Sequence, residues 1–210
     1  MSAGLELRGI SISLRGATLV RGLTCAVAPG EIVTVMGPSG SGKSTLLAFI
    51  GGFLDPAFAA RGEVLLGGRS ITRLPAEKRR AGILFQDDLL FPHLSVGENL
   101  AFGLPAGGGR AERRSQVEEV LAAAGLAGFA ARDPATLSGG QRARVALLRT
   151  LLAEPRTLLL DEPFGKLDRT LRGEIRGFVF EHARARALPI LLVTHDDEDA
   201  EAAGGAVIRL

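Results

Sequence analysis

The chain has 210 residues, of which 46% are hydrophobic and 23% are charged, with 25 Lys and Arg against 23 Asp and Glu. These values exclude a disordered or fibrous protein and predict one globular domain, with room for a small subdomain. The formal net charge of +2 is too small to indicate a nucleic-acid-binding face, because such a face needs a dense cluster of cations.

Cysteine content and hydropathy indicate a cytoplasmic protein without a membrane span of its own. Cys25 is the only cysteine, so an internal disulfide is impossible and a reducing compartment is favoured. Charged residues interrupt the first apolar stretch and argue against a signal peptide. The longest apolar run, Val120 to Ala131, is too short to cross a bilayer. We therefore expect any membrane role to depend on a partner.

The first third of the chain predicts strands. Leu5 to Ile12 and Thr24 to Val27 alternate or are β-branched, and Pro29-Gly30 supplies a turn. Ile32 to Met36 is almost continuously apolar, which is typical of a strand buried on both faces of a parallel sheet. A glycine-rich turn and a helix from about Ser44 follow.

That turn carries a phosphate-loop pattern, Gly37-Pro38-Ser39-Gly40-Ser41-Gly42-Lys43-Ser44. Its glycines allow backbone amides to surround phosphates, and the following helix adds the positive end of its dipole. We expect Lys43 to reach the β- and γ-phosphates and Ser44 to bind Mg²⁺. The alternative is a glycine-rich turn that fits the pattern by chance.

The middle of the chain predicts a short hairpin, a strand and then helices. Gly62 to Ile71 indicates a hairpin around Gly67-Gly68, and Gly82 to Phe85 a buried strand. Residues 87 to 136 are largely helical in pattern, with an amphipathic helix over Arg110 to Ala124.

A second glycine-lined helix start occurs at Leu137-Ser138-Gly139-Gly140-Gln141, before a predicted helix over Ser138 to Ala153. Ser138 as an ordinary N-cap is one interpretation. The other is a second anion site, and one nucleotide cannot easily contact two such sites in one small domain. This second interpretation predicts two subunits that enclose nucleotide head to tail.

The last third alternates strand and helix, over Leu158 to Leu160, Asp168 to Ala187, Ile190 to Thr194 and, after a short helix, Ala206 to Leu210. The first of these strands ends in Asp161 and Glu162, at the carboxyl edge where open α/β sheets bind ligands. We expect Asp161 to hold Mg²⁺ and Glu162 to act as general base on water. A helix N-cap is the alternative role for this pair.

In order, these motifs make the chain resemble the ATP-binding-cassette (ABC) family over nearly its whole length. The motifs are the phosphate loop from Gly37 to Thr45, the Q-loop residue Gln86, the signature Leu137 to Gln141, the strand and acidic pair Leu158 to Glu162, and the switch histidine His195. The resemblance implies an α/β fold with a RecA-like P-loop NTPase core, an antiparallel β subdomain and an inserted helical subdomain. Residues 1–86 and 156–210 would form the first two parts, and residues 87–155 the helical part.

The resemblance also implies site roles. Ser138 and Gly140, with the rest of the signature, would contact the γ-phosphate bound by a second subunit, so that hydrolysis requires a homodimer. Gln86 would ligate Mg²⁺ and sense the γ-phosphate, and His195 would hold the γ-phosphate and the catalytic water. Outside this family, Gln86 and His195 would be read as ordinary loop residues.

The same resemblance implies membrane partners. The stretch from Phe85 to Leu100 looks like the part of importer subunits that receives a helix from the permease, with Gln86 to Leu94 forming the groove. Leu89, Leu90 and Phe91 suit such a contact, and core packing is their alternative role. The resemblance implies a peripheral position on the cytoplasmic face of the inner membrane and a solute-binding protein as a further partner.

Two departures from the family pattern stand out. No Trp or Tyr is present and no Phe precedes Phe49, so Leu14 or Arg15 would have to replace the aromatic residue that stacks on adenine. The D-loop reads Gly165-Lys166-Leu167-Asp168, which keeps only the end of the usual motif, with Asp168 as a nucleotide-contacting candidate.

Short length and the Ser95 to Asn99 neighbourhood look most like thiamine-type or other small-solute importers. The functional alternatives are an exporter or lipoprotein-release subunit, a non-transport ABC ATPase and a regulatory subunit that does not hydrolyse ATP.

Overall fold

The computed structural model describes residues 4–85, 87–165, 167 and 169–210, and for residues 169–171 only the backbone. The first sheet is antiparallel. It contains β1 (Leu5–Leu14), β2 (Ala17–Val27), β4 (Phe58–Leu66) and β5 (Arg69–Ser70), in the order β2-β1-β4-β5. One face of this sheet contributes Leu5, Leu7, Ile10 and Ile12 to the core.

Three register shifts interrupt the pairing of β1 with β2, and glycines lie at the first two of them. Gly9 and Gly22 take φ values of 60° and 59°, and their amides donate to the Thr24 and Ser11 hydroxyls at 2.9 Å each. Each hydroxyl therefore replaces a backbone acceptor that the bulge removes from the ladder. Both strands are longer than predicted from the sequence, because they continue through the bulges to a tight turn at Arg15-Gly16.

The second sheet has the order β6-β7-β8-β3-β9. Its strands are β3 (Ile32–Met36), β6 (Ala81–Leu84), β7 (Thr157–Asp161), β8 (Ile190–Val193) and β9 (Val207–Arg209). β3 pairs in parallel with β8 and β9, and β7 pairs in parallel with β8. Every residue of β3 and β8 is buried, which confirms for β3 the prediction of a strand buried on both faces.

Six α-helices are present in the described residues: α1 (Lys43–Gly51), α2 (Val96–Gly103), α3 (Arg110–Ala123), α4 (Gly139–Leu152), α5 (Arg169–Ala185) and α6 (Asp197–Ala203). Short 3₁₀ turns occur at Ala76–Lys78 and Pro134–Thr136. α5 ends two residues before the predicted Ala187, because Ala187 takes a φ of 51° and leaves the helical region.

The chain divides into two compact units. The first consists of residues up to Ile83, Arg156–Glu162 and Arg176–Leu210, and the second of Leu84–Pro155 and Pro163–Ile175. The first unit holds most of both sheets, and the second holds α2, α3 and α4. None of the helices in the described part of the chain is long and apolar enough to span a membrane.

Candidate active site

The loop after β3 has the geometry of an anion cradle. Gly40 and Gly42 take φ values of 82° and 92°, which residues with a Cβ rarely adopt. A Cβ on Gly37 would lie 2.8 Å from both the Leu210 carbonyl oxygen and the Ser41 Oγ. Glycine at these positions lets the loop fold tightly before the N-terminus of α1, where free backbone amides favour an anion.

Lys43 lies at the centre of this cradle and is 6% exposed. Its ammonium group donates to the carbonyl oxygens of Gly37 at 2.8 Å and Pro38 at 2.9 Å. The Ser41 hydroxyl is buried and has no hydrogen-bond partner among the described residues. A buried cation beside an unsatisfied hydroxyl donor suits the oxygens of a phosphate group.

Asp161 ends β7 beside the first turn of α1. Its carboxylate accepts a hydrogen bond from the Ser44 hydroxyl. Burial raises the pKa of Asp161, Glu162 raises it further, and the Ser44 hydrogen bond and Lys43 oppose the increase. A carboxylate paired with a hydroxyl next to a phosphate cradle is a donor set that suits Mg²⁺, which usually takes one or two protein oxygens together with phosphate oxygens and water.

Glu162 and His195 lie together although 32 residues separate them. His195 Nδ1 is 3.1 Å from Glu162 Oε1, with side chains 66% and 22% exposed respectively. The backbone of Glu162 takes a φ of 46°, and its amide donates to the Val193 carbonyl oxygen at 2.9 Å. Strain of about 1–2 kcal/mol in a non-glycine residue is typical of functional positions.

The turn that carries His195 is fixed by its neighbours. Thr194 accepts from the Asp196 amide at 3.1 Å, and the Asp196 side chain caps α6 by accepting from the Glu198 and Asp199 amides. Asp199, which is 1% exposed, is 3.1 Å from Arg176 Nη1. The burial of Asp199 was not predicted from the sequence, because an acidic residue in a short polar helix is usually exposed.

The signature turn forms a capping box at the start of α4. Ser138 Oγ accepts from the Gln141 amide at 3.3 Å, and Gln141 Oε1 accepts from the Ser138 amide at 3.0 Å. The N-cap interpretation of Ser138 is therefore confirmed. Ser138 is also exposed, whereas Gly139 is half-buried and Gly140 is buried, so solvent reaches this turn mainly at the serine.

The segment that follows Gln86 is held by side chains that sequence reasoning missed. Asn99 is fully buried; it accepts from the Phe91 amide at 2.9 Å and donates to the carbonyl oxygens of Phe91, Leu94 and Ser95 at 3.0–3.1 Å. Arg149 donates to the Leu89 carbonyl oxygen at 2.9 Å and lies 5.2 Å from the Phe91 ring centroid. An Asn inside a predicted helix is the one sequence signal that could have indicated this network.

The remaining predicted residues fall in three groups. Leu14 is half-buried at the end of β1 and pairs with Ala17 and with Phe58 of β4. Leu89 is 57% exposed, whereas Leu90 and Phe91 are half-buried. Gln86, Lys166 and Asp168 lie outside the described residues, so the predictions for the Q-loop and the D-loop aspartate stay predictions.

A model of the ABC transporter family matches residues 20–165. The uncharacterized ABC transporter ATP-binding protein YnjD of Escherichia coli K12 is 50% identical over 198 residues, which cover 94% of this chain and 91% of that protein. The Fe(3+) ions import ATP-binding protein FbpC 3 of Rhodococcus jostii is 44% identical over 99% of this chain, and the chain spans 59% of its length. The sulfate/thiosulfate import ATP-binding protein CysA of Xanthomonas campestris is 43% identical over 94% of this chain, which spans 58% of its length.

Solved structures give the same similarity at the level of the fold. The ATP-binding cassette MJ0796, in a dimeric post-hydrolysis state bound to ADP and phosphate, matches with a TM-score of 0.83 and 32% identity. The match covers 98% of this chain and 94% of that one. The α/β fold class predicted from the sequence, with an antiparallel sheet beside a parallel one and added helices, is thereby confirmed.

Proposed function

Because the chain belongs to the ABC transporter family and is one of its ATP-binding, ATP-hydrolysing subunits, we propose that two copies enclose two MgATP and power solute import through a separate permease. The proposal is supported chiefly by three groups of residues that lie at one edge of the first unit. They are the Lys43 cradle, the pair Ser44 and Asp161, and the pair Glu162 and His195. These are the parts that phosphoryl transfer to water requires.

The cradle would bind the phosphates of ATP, whose terminal phosphoanhydride bond is the one broken in hydrolysis. Lys43 would exchange its bonds to the Gly37 and Pro38 carbonyl oxygens for phosphate oxygens, and the Ser41 hydroxyl would gain an acceptor. The loop amides from Gly37 to Thr45 would complete the cradle, and Leu14, at the end of β1, is the proposed contact for the base.

Ser44 and Asp161 would hold Mg²⁺, with Gln86 as a further proposed ligand. When bound, the metal neutralises charge on the phosphate oxygens. The fit rests on the donor set: the Ser44 hydroxyl already bonds the Asp161 carboxylate, so both oxygens are available on one side of the cradle.

Glu162 would accept the proton of the attacking water, and His195 would position that water and the terminal phosphate. His195 Nδ1 lies 3.1 Å from Glu162 Oε1, so the two side chains are close enough to contact the same water molecule. A positioned base of this kind contributes about 10²–10⁴-fold to a rate.

Dimerisation would add the Ser138 turn of one subunit to the cradle of the other. Ser138 of this turn is exposed, and the similar cassette is dimeric with ADP and phosphate bound. Asp168 would contribute to the same interface. The need for a second copy also separates this proposal from a regulatory subunit that only binds nucleotide.

The permease would contact the second unit. Leu89 and Phe102 are 57% and 68% exposed, and Phe102 packs edge-on against Phe91 at 4.7 Å between ring centroids. This apolar patch adds Phe102 to the predicted groove from Gln86 to Leu94 and suits an apolar helix. A cavity of about 780 Å³ lies beside α2 and α3 in the same unit, and its wall contains both arginines and the glutamates Glu98 and Glu118.

Import is favoured over export because relatives over almost the whole chain are named as iron and sulfate importers. A peripheral position on the cytoplasmic face of the inner membrane and a solute-binding protein belong to the same proposal. The resemblance to thiamine-type subunits stays a prediction about substrate, which the permease and binding protein would select.

The test is the variant Glu162→Gln in the full chain, with Glu63→Gln as a matched carboxylate control on β4. We expect phosphate release to fall by about 10²-fold or more, while MgATP converts the variant to a dimer in size-exclusion chromatography with light scattering. Lys43→Ala should neither bind ATP nor dimerise. Turnover at the parent rate in Glu162→Gln would remove Glu162 as the base, and a monomer at saturating MgATP would contradict the enclosed dimer.

A further inference from the structure

Arg142 lies one turn into α4 and bonds two functional segments at once. Its Nη1 donates to the Leu137 carbonyl oxygen at 2.7 Å, immediately before the Ser138 turn. Its Nε donates to Asp88 Oδ2 at 2.9 Å. The planar guanidinium holds both acceptors in fixed directions, which a lysine could not do.

The second acceptor of the Arg142 guanidinium is the partly buried carboxylate of Asp88. Asp88 stands two residues after Gln86, and its side chain is 19% exposed, against 38% for Arg142. Partial burial reduces solvent screening of the pair, and the hydrogen bond gives it direction. The separation of 54 residues along the chain means that this contact is tertiary and not a local helix pair.

Hydrogen bonds from two other side chains also hold the backbone of residues 89–95. Arg149, two turns later on α4, bonds the Leu89 carbonyl oxygen, and Asn99 of α2 bonds Phe91, Leu94 and Ser95. Residues 88–95 are therefore held together by hydrogen bonds. Arg142 connects this segment to the Ser138 turn, because it bonds Asp88 and the Leu137 carbonyl oxygen.

We propose that Arg142 is a positioning residue that couples the Ser138 turn to residues 88–94, the proposed permease-contact segment. When the turn closes on nucleotide, residues 88–94 would then move with it. The proposal rests on the proposed function, because it assumes that the turn meets nucleotide. A displacement of the Leu137 carbonyl would move the guanidinium, and the guanidinium would move Asp88, since both bonds share one rigid group.

The experiment uses amide hydrogen exchange on the full chain carrying Glu162→Gln, with and without MgATP. It compares peptides covering 88–94 and 137–141 in this parent and after adding Asp88→Asn, Arg142→Gln or both. Glu119→Gln, which removes a carboxylate of α3 bonded by Ser115, is the matched control. Thermal melts check that each variant is folded.

We expect MgATP to slow exchange in both peptides of the parent and of the control, by about fivefold or more in 88–94. Asp88→Asn and Arg142→Gln should each reduce the ratio in 88–94 to less than about twofold and leave 137–141 responsive. The double variant should lose no more than either single one, because both changes break the same link.

Two results would overturn the coupling. One is an undiminished MgATP ratio in 88–94 of the double variant, which lacks both the guanidinium and the carboxylate of the bond, even if its exchange is faster in both states, since that indicates a purely structural role. The other is a parent in which 137–141 responds and 88–94 does not. If neither peptide of the parent responds, the proposed nucleotide-driven dimer has failed instead, and the two failures are thereby distinguished.

Discussion

The surroundings of His182 in α5 oppose its protonation. Its Nε2 is buried without a hydrogen-bond partner in the described residues, and its ring stacks on Phe178 with centroids 5.8 Å apart. Burial lowers the pKa of His182, and the positive charge of Arg186 lowers it further. The folded protein therefore binds this proton less readily than the unfolded chain does.

This predicts a loss of stability in mild acid. Below a pH of about 6.5 the unfolded state takes up the proton first, so the free energy of unfolding falls as pH falls, by at most about 1.4 kcal/mol per pH unit for one proton. Urea unfolding at pH 7.5 and 5.5 should show a smaller difference for His182→Gln than for the parent. Arg73→Gln, at an exposed position that does not contribute to the His182 shift, should keep the parent's difference; an equal difference in all three would contradict the assignment.

The chemistry of the candidate site could be read from sequence, but its pairings could not. Lys43 and Asp161 follow buried strands, and that context predicts phosphate and metal contacts. The contact of Glu162 with His195 depends on β7 and β8 being neighbours, with Asp161 opposite Val193, and strand order is not encoded locally. The Arg142 bond to Asp88 was missed for the same reason.

At the scale of elements, α1 is held at its far end by Arg79. This arginine is 6% exposed and donates to the carbonyl oxygens of Phe49 and Ile50 at 2.8 Å each, and to those of Leu74 and Thr72. A cation at a helix C-terminus opposes the negative end of the dipole and satisfies carbonyls that lack intrahelical partners. Burial lowers the pKa of Arg79.

Removing Arg79 should therefore destabilise the helix that begins at the phosphate loop. We expect Arg79→Ala to lower the free energy of unfolding by about 3 kcal/mol, because several carbonyl oxygens lose a charged donor in a buried place. Chemical denaturation measures the change. Arg73→Ala, an exposed arginine six residues earlier, should stay within about 0.5 kcal/mol, and equal effects of the two variants would show that burial of Arg79 is unimportant.

The predicted elements were most accurate where one signal dominated. The continuous apolar run of β3 gave both of its bounds, the alternation of strands and helices gave β8 to within a residue, and the α3 pattern gave Arg110 as its start. β1 and β2 were predicted too short because each bulge shifts the side-chain alternation by one residue. Phe58–Arg61 of β4 was missed because Pro56 and Ala59-Ala60 carry no strand signal.

For the whole molecule, nucleotide should act as a stabilising ligand. MgATP at 100 times its Kd adds about 2.7 kcal/mol if it binds only the folded state. In a protein of this size that corresponds to a rise in Tm of about 5–10 °C. Differential scanning fluorimetry should show the rise in the parent and its absence in Lys43→Ala, and a rise in Lys43→Ala equal to that of the parent would place the nucleotide elsewhere.

The strand order also determines when, during translation, the phosphate loop can gain its neighbouring strands. β3, which delivers the phosphate loop, has β8 and β9 as its two neighbours, and the Met36 carbonyl oxygen accepts from the Leu210 amide at 2.9 Å. A nascent chain still on the ribosome thus carries the loop long before either flanking strand has emerged. ATP capture must therefore wait until β8 and β9 have both been synthesised, so a ribosome stalled before residue 190 would display a chain that cannot yet hold nucleotide.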